Sequence, residues 1–113
     1  MPLKSYILVR EDAPMGLAVV AACHATLAMY LRFKEHPDVA AWLSPDNGAF
    51  YKVVCIVSLA EFEKAKETVD HVVMTESMWG NQEIAIAFRP RSPEGWPKSF
   101  KFLRLLKKWP EVI

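Results

Sequence analysis

The chain has 113 residues, of which 52% are hydrophobic, including four Trp and six Phe, and this composition predicts one domain with a real core and excludes a disordered chain. Its formal net charge of +1 excludes a bulk electrostatic attraction to nucleic acid, so such binding must come from local charge clusters. Cys23 and Cys55 fall within predicted buried elements, which favours free thiols in a reducing compartment. Because the N-terminus leads directly into a predicted strand, we expect a cytoplasmic protein.

The first predicted elements are a short strand and a long apolar helix. Residues 5–9 are a β-rich apolar run, and the helix starts within a residue or two of Pro14 and ends near Phe33 or Lys34. Only His24 and Thr26 are clearly polar between residues 15 and 31, so we expect the helix to be buried on most sides. The run is short of the roughly 20 residues that a bilayer requires, so no membrane partner is expected.

The rest of the chain alternates strands and helices. The predicted elements are a helix over residues 37–43, a turn over 44–48, a strand over 51–57, a helix over 59–69, strands over 71–75 and 84–88, and a last helix over 98–109. Ser58 and Glu61 form a capping box at the start of their helix. The loop over residues 76–82 is long enough that we do not expect its flanking strands to form a tight hairpin.

This order predicts an α/β fold. We expect a single three-layer domain over residues 1–113, with a four-stranded mixed β-sheet flanked by helices on both faces. Crossovers from the first to the second strand and from the second to the third are right-handed if those strands are parallel. Ligands of such folds sit where a strand leads into a helix, which here is the stretch around residues 10–16.

Few side chains in the chain carry chemistry. Asp12, at the positive end of the long helix, is either a general base or only a helix cap. His24 either shuttles a proton or is a satisfied core histidine. Cys23 points about 100° away from His24 on a helix, which argues against a nucleophile and base pair. The spacing of His24, His36 and His71 is not that of a metal site, so no metal is expected.

A polar loop and a basic segment are the other candidates. Polar residues surround Met78-Trp79, and Trp79 either belongs to a functional loop, covers the core or packs against a second subunit. Half of all basic residues lie between Arg89 and Lys108. On the predicted last helix, Lys101 and Arg104 share a face that is either solvated or tracks a phosphate backbone, with Trp96 and Phe100 beside it.

Three short motifs in the first third of the chain are similar to a known family. Residues 9–12 (Val-Arg-Glu-Asp), 15–16 (Met-Gly) and 22–27 (Ala-Cys-His-Ala-Thr-Leu) resemble the opening of type II peptidyl-tRNA hydrolases. In that family a Val-Arg-Thr-Asp strand end leads through Met-Gly-Lys-Gly-Lys to a helix with a Gln-x-x-His-Ala element. The order of elements matches over nearly the whole chain. The resemblance implies a compact mixed sheet flanked by helices, frequent dimers, and cleavage of the ester between peptide and tRNA without a cofactor.

The chain keeps part of the family's polar set. Asp12 and His24 are retained, whereas Leu17 stands at the family's lysine and Ala21 at its glutamine. Glu76 is the nearest match to an aspartate of the family's loop. A leucine can neither bind a phosphate nor stabilise an oxyanion, so the original chemistry cannot be carried over unchanged.

The resemblance therefore implies a divergent hydrolase-like protein. If active, it hydrolyses the ester of peptidyl-tRNA or a related aminoacyl ester, using Asp12, His24 and Glu76; otherwise it is non-catalytic. The alternative is a dimeric small-molecule-binding or protein-interaction module of the same fold with no role on tRNA. Partners are tRNA or peptidyl-tRNA and a second copy of the chain. The expected binding residues are Arg10, Gly16, Ser77, Trp79, Asn81, Lys101 and Arg104.

Overall fold

A computed structural model describes residues 2–110 of the chain. Its strands and α-helices are, in order, β1 (Ser5–Arg10), α1 (Met15–Phe33), α2 (Pro37–Leu43), β2 (Lys52–Val57), α3 (Leu59–Ala65), β3 (His71–Glu76), β4 (Gln82–Phe88) and β5 (Arg104–Leu105). Short 3-10 turns cover Ser77–Trp79, Pro93–Gly95 and Lys98–Phe102. The predicted elements up to residue 88 are all present, and α2 has the predicted bounds.

The strands form one mixed sheet in the order β3-β4-β1-β2-β5. β1 runs parallel to β2, with Leu8 opposite Cys55, and every other pairing is antiparallel. The α/β class and the mixed sheet are confirmed, but the sheet has five strands where four were predicted. The additional strand is β5, which pairs with the outer edge of β2.

The alternation of side chains along β1 divides the core between the two faces of the sheet. Ile7 and Val9 pack on the face covered by α1 and α2, whereas Tyr6 and Leu8 pack on the face covered by α3. On the α3 face, Tyr6 belongs to a cluster of aromatic rings whose centroids lie 4.7–5.9 Å apart. Its other members are Phe88, Trp96 and Phe100.

The predicted last helix over residues 98–109 is wrong. The chain makes a 3-10 turn and then extends as β5, so that Leu105 pairs with Cys55 and the Leu106 amide donates to the Val54 carbonyl at 2.9 Å. Leu103 packs on the α3 face of the sheet and Leu106 on the α1 face. The apolar spacing resembled that of a helix, but the unpaired edge of β2 offers backbone hydrogen bonds that an isolated helix would leave unused.

The strands on either side of the loop pair as a hairpin, but five residues connect them, so it is not the tight two-residue hairpin that the loop length argued against. β3 and β4 are antiparallel neighbours, with Val73 opposite Ile86, and the chain reverses through left-handed Gly80 and Asn81. β3 is the far edge of the sheet and runs in the same direction as β2, so the chain crosses from β2 to β3 through α3 and passes the two intervening strands, β1 and β4. A β-bulge at Ile84 shifts the register between β3 and β4.

Helix α1 is buried on one face only, not on most sides as predicted. The sheet covers Ala18, Ala21, Ala25 and Met29, which follow a helical stripe. On the opposite side apolar residues are open to solvent, including Leu27, which is 59% exposed. Cys23, predicted to be buried, also lies on this exposed side, whereas Cys55 is buried as predicted. By length and composition, α1 is also apolar enough to cross a membrane.

Candidate functional site

The candidate site lies at the edge of the sheet where β1 and β2 end. β1 delivers Arg10, Glu11 and Asp12 to this edge, and α1 begins three residues later. β3 also ends here, because it is antiparallel to β4 and β4 is antiparallel to β1. The 3-10 turn at Ser77–Trp79 therefore closes the same edge.

Arg10 and Asp12 form a bidentate ion pair. The Arg10 Nε donates to Asp12 Oδ1 at 3.1 Å, and Nη2 donates to Oδ2 at 2.7 Å. The side chain of Arg10 is 8% exposed, whereas that of Asp12 is 52% exposed. Each carboxylate oxygen has two lone-pair positions, so Asp12 can still accept hydrogen bonds from solvent. Arg10, on the buried side, fixes the orientation of the carboxylate.

The Arg10 guanidinium is itself held on two further sides. Its Nη1 donates to the Glu83 carbonyl at 3.1 Å, and its central carbon lies 4.6 Å from the centroid of the Trp79 ring. Trp79 is half-buried and packs against the core cluster on the α1 face. The interpretation that Trp79 covers the core is therefore the one that the described residues support. The stack and the hydrogen bonds together give Asp12 a rigid support.

The first turn of α1 has no side-chain cap. Its N-cap residue is Pro14, and the turn contains no acidic residue. The prediction that Asp12 caps this helix is wrong, because Arg10 occupies its carboxylate. A Cβ added at Gly16 would meet nothing within 4 Å, so the backbone there is open to solvent. The free N–H groups and the positive end of the helix dipole favour a negative charge at this position.

Basic residues from the C-terminal segment lie beside this edge. Arg104 forms an ion pair with Glu11, the residue between Arg10 and Asp12. Arg104, Lys107 and Lys108 line a shallow cavity of about 230 Å³ together with Ile56, near the end of β2. Some of the basic side chains that were predicted to share one face of a helix therefore lie next to the candidate site, because the pairing of β5 with β2 places them there.

The structure does not join the three predicted catalytic residues. Within residues 2–110, no hydrogen bond or ion pair links any two of Asp12, His24 and Glu76. His24 is exposed on α1, nine residues and hence about 13 Å along the axis from Met15, so it is not a core histidine. The Glu76 carboxylate accepts from the Met78 amide at 3.0 Å and caps the 3-10 turn.

The predicted binding residues are only partly at the site. Ser77 and Asn81 are exposed in the β3–β4 turn, where the Asn81 amide donates to the Glu76 carbonyl. Lys101 is exposed on the last 3-10 turn, and Arg104 faces the site edge through Glu11. Arg10 is buried, so it supports Asp12 from inside the protein and does not itself face solvent.

The basic segment contributes fewer free charges than its sequence indicates. Arg89 donates to Asp38 at 2.9 Å and to Asp70 at 3.0 Å. Arg91 is buried over the Trp96 ring, and burial lowers the pKa of its guanidinium. The two arginines therefore hold the fold together, and Trp96 and Phe100 lie in the core rather than beside a nucleic-acid backbone.

Two features of the site were missed by sequence reasoning. The sequence places Lys107 and Lys108 in a charge cluster but gives no signal that they line a cavity, because the apolar spacing of this segment is that of a helix and not of β5. Lys66 forms ion pairs with Glu83 and with Glu63, and its hydrogen bond to Glu83, more than that to Glu63, raises the pKa of its ammonium group. Only the register of β4 brings Glu83 to Lys66, and no local pattern signals that contact.

The described part of the chain contains no group of three or more His, Cys, Asp or Glu side chains placed to hold a metal ion. No family model matches the chain. It is 32% identical to a protein of Homo sapiens named "Putative peptidyl-tRNA hydrolase PTRHD1" over 119 aligned positions, which cover 93% of this chain and 83% of that protein. A protein of the same name from Mus musculus is also 32% identical, with the same coverage.

Proposed function

Because the chain belongs to the divergent peptidyl-tRNA hydrolase-like family of the PTRHD1 proteins, we propose that it hydrolyses the ester of peptidyl-tRNA or of a related aminoacyl-tRNA at the edge where β1 ends. One observation carries the proposal. Arg10 fixes the half-exposed carboxylate of Asp12 beside the uncapped first turn of α1. A general base and a set of oxyanion donors are thereby placed next to each other, as ester hydrolysis requires.

In the proposed reaction, Asp12 takes a proton from a water molecule as that water attacks the ester carbonyl. Negative charge develops on the carbonyl oxygen, and the free N–H groups of the first turn of α1 stabilise it. The bond between the carbonyl carbon and the ribose oxygen then breaks, and the proton passes to that oxygen. The backbone at Gly16 takes the place of the family's lysine, since Leu17 cannot stabilise charge.

The basic side chains beside the site support contact with the tRNA. Arg104, Lys107 and Lys108 are solvent-exposed, next to the end of β2. Phosphate contacts by such side chains give binding that weakens steeply as salt is raised. We propose that this group positions the acceptor end of the tRNA so that its ester reaches Asp12.

The proposal is tested with an N-acetylated aminoacyl-tRNA as the simplest peptidyl-tRNA. The wild type releases the acetylated amino acid, and Asp12→Asn lowers the rate by at least about 100-fold, because the amide cannot accept the proton. Asp46→Asn is the matched control, since Asp46 is an exposed turn residue. Release by the wild type that does not exceed release by Asp12→Asn contradicts the proposal.

The contact with tRNA is tested separately by binding. Lys107→Glu combined with Lys108→Glu is expected to weaken tRNA binding and to reduce its dependence on salt. Lys64→Glu is the control, because Lys64 lies on α3, outside the basic group at the site. Equal affinities of the two variants for tRNA would show that the basic group does not hold the nucleic acid.

A second candidate function is the binding of a small apolar molecule. An open cavity of about 570 Å³ lies between α1 and the α2–β2 segment, and its lining is mostly apolar. The lining residues are Cys23, Thr26, Leu27, Tyr30, Trp42, Leu43, Phe50 and Lys52. Sites for small molecules have this size and character. A fluorescent apolar dye that binds the wild type but not Leu27→Glu would support this function, and equal binding would remove it.

A further inference from the structure

The apolar cavity between α1 and the α2–β2 segment contains one charged group. Among the described residues that line it, Lys52 alone carries a charge. Two of the other polar side chains of the lining already have partners within the protein. Thr26 Oγ1 donates to the Ala22 carbonyl at 2.8 Å, and Trp42 Nε1 donates to the Tyr51 carbonyl at 2.7 Å. A ligand of this cavity therefore meets mostly apolar surface and a single ammonium group.

The ammonium group of Lys52 is held in place at the cavity. Its Nζ donates to the Phe50 carbonyl at 2.8 Å, and it lies 5.4 Å from the centroid of the Trp42 ring and 5.9 Å from that of the Phe50 ring. An ammonium group has three donors, so two of them remain for a ligand. Within residues 2–110, Lys52 forms no ion pair. A fixed positive charge of this kind beside apolar surface favours a ligand with a negative group.

The chain adopts a strained backbone to place Phe50 at this cavity. Ala49 and Phe50 have φ values of 47° and 67°, in the left-handed region that residues with a Cβ rarely adopt. Two backbone hydrogen bonds hold this conformation, from the Ala49 amide to the Ser44 carbonyl and from the Phe50 amide to the Trp42 carbonyl. The Phe50 ring remains 56% exposed, with its centroid 6.0 Å from that of Trp42. Because such strain clusters at ligand sites, it is an independent indication that the cavity binds a molecule.

Cys23 and Leu27 extend the apolar surface onto α1. They lie four residues apart and so share one face of the helix, where both are exposed and line the cavity. Cys23 is eight residues beyond Met15, or about 12 Å along the helix axis, so the cavity is separate from the candidate site around Asp12. A ligand that fills the cavity from Lys52 to α1 covers both of these side chains.

We propose that this cavity binds an apolar carboxylic acid, with the carboxylate paired to Lys52 and the apolar body against Phe50 and Leu27. The inference rests on the second candidate function proposed above, the binding of a small apolar molecule, and it names the class of that molecule. One ammonium group neutralises one carboxylate. A phosphate monoester, with a charge of about −1.5 to −2, would keep uncompensated charge beside apolar surface. A cationic ligand would be repelled by Lys52.

Two probes of the same shape test the charge of the ligand. Dansyl-aminoundecanoic acid carries a carboxylate on a fluorescent apolar body, and its methyl ester lacks the charge. The wild type is expected to bind the acid about 5- to 10-fold more tightly than the ester, because the acid gains a charged hydrogen bond. Lys52→Met keeps an apolar stem over the Trp42 ring and is expected to bind the two probes equally. Lys64→Met, on α3, is the control and is expected to retain the preference for the acid.

Alkylation of Cys23 locates the bound acid on the protein. Its thiol is exposed in the free protein and lines the cavity. A saturating concentration of the acid is expected to slow the reaction of Cys23 with iodoacetamide by at least about 5-fold, because the apolar body of the ligand covers the thiol. Iodoacetamide is uncharged, so the carboxylate of the ligand does not repel it.

The two measurements separate this inference from the function on which it rests. Equal binding of acid and ester by the wild type overturns the inference but leaves the binding of an apolar molecule in place, whereas binding of neither probe removes both. A preference for the acid that persists in Lys52→Met also overturns the inference. So does a saturating concentration of the acid that leaves the alkylation of Cys23 unchanged.

Discussion

The guanidinium of Arg10 holds the carboxylate of Asp12 through two hydrogen bonds while stacking on Trp79. A point charge could supply the same attraction, but not the same orientation, because only the planar fork of arginine matches both carboxylate oxygens. The two residues come from one strand end, so the geometry depends on the sheet edge and not on a mobile loop.

The first prediction concerns this pair. Arg10→Lys keeps the charge but loses the second hydrogen bond, so the rate of ester hydrolysis is expected to fall by about 10- to 100-fold through misplacement of Asp12. Single-turnover kinetics on the acetylated aminoacyl-tRNA measures it. Arg32→Lys is the control for the same exchange on α1. Unchanged kinetics in Arg10→Lys would mean that the orientation of Asp12 does not matter.

The second prediction concerns Cys55. Burial raises the pKa of its thiol from 9.0 to about 11. The thiol of the unfolded chain then loses its proton at a lower pH than the thiol of the folded chain. The free energy of unfolding is therefore unaffected by this thiol below pH 9 and falls by roughly 2–3 kcal/mol between about pH 9 and 11. Urea unfolding of the wild type and of Cys55→Ala across this pH range measures the fall in the free energy of unfolding. The same pH dependence of this free energy in both proteins would contradict the prediction.

The same burial predicts selective labelling. At neutral pH an alkylating reagent is expected to modify the exposed Cys23 in the native protein and to reach Cys55 only after denaturation. Mass spectrometry counts the added groups. Two groups added to the native protein would contradict the buried position of Cys55 on β2.

The third prediction concerns Arg89, whose side chain is 11% exposed and joins Asp38 to Asp70. Arg89→Met is expected to lower the free energy of unfolding by about 1–3 kcal/mol, since two carboxylates lose a charged hydrogen-bond donor. Lys64→Met removes an exposed pair with Glu67 and is expected to cost less than about 0.5 kcal/mol. Equal losses of unfolding free energy in the two variants, measured by chemical denaturation, would show that the Arg89 contacts do not stabilise the fold.

The fourth prediction pairs two glycines with opposite surroundings. A Cβ at Gly48 would lie 2.9 Å from the Trp42 carbonyl oxygen and 3.1 Å from that of Leu3, so Gly48→Ala is expected to destabilise the protein by about 1–3 kcal/mol. Gly16→Ala meets no atom and favours the helix, so it is expected to raise the stability by up to about 1 kcal/mol. A melting temperature of Gly48→Ala that does not fall below that of the wild type would contradict the packing at Gly48, and one of Gly16→Ala that falls would contradict the open surroundings of Gly16.

Local signals in the sequence determined the elements up to residue 88. Pro37 at the first turn fixed the start of α2, and the Ser58–Glu61 capping box fixed the start of α3; the structure shows both capping-box hydrogen bonds. The start of α1 at Met15 also followed from its junction residues. These features depend on residues within one turn of each other, and a sequence contains that information directly.

The tertiary structure alone decided how these elements meet. Residues 104–105 became a strand because β2 had a free edge, and α1 stayed open on one side although its composition matched a fully buried helix. Strand order, the Lys66–Glu83 contact and the separation of His24 from Asp12 depend on pairings between residues far apart in the chain. Those pairings are selected by the energy of the whole sheet and its core, which no short stretch of sequence encodes.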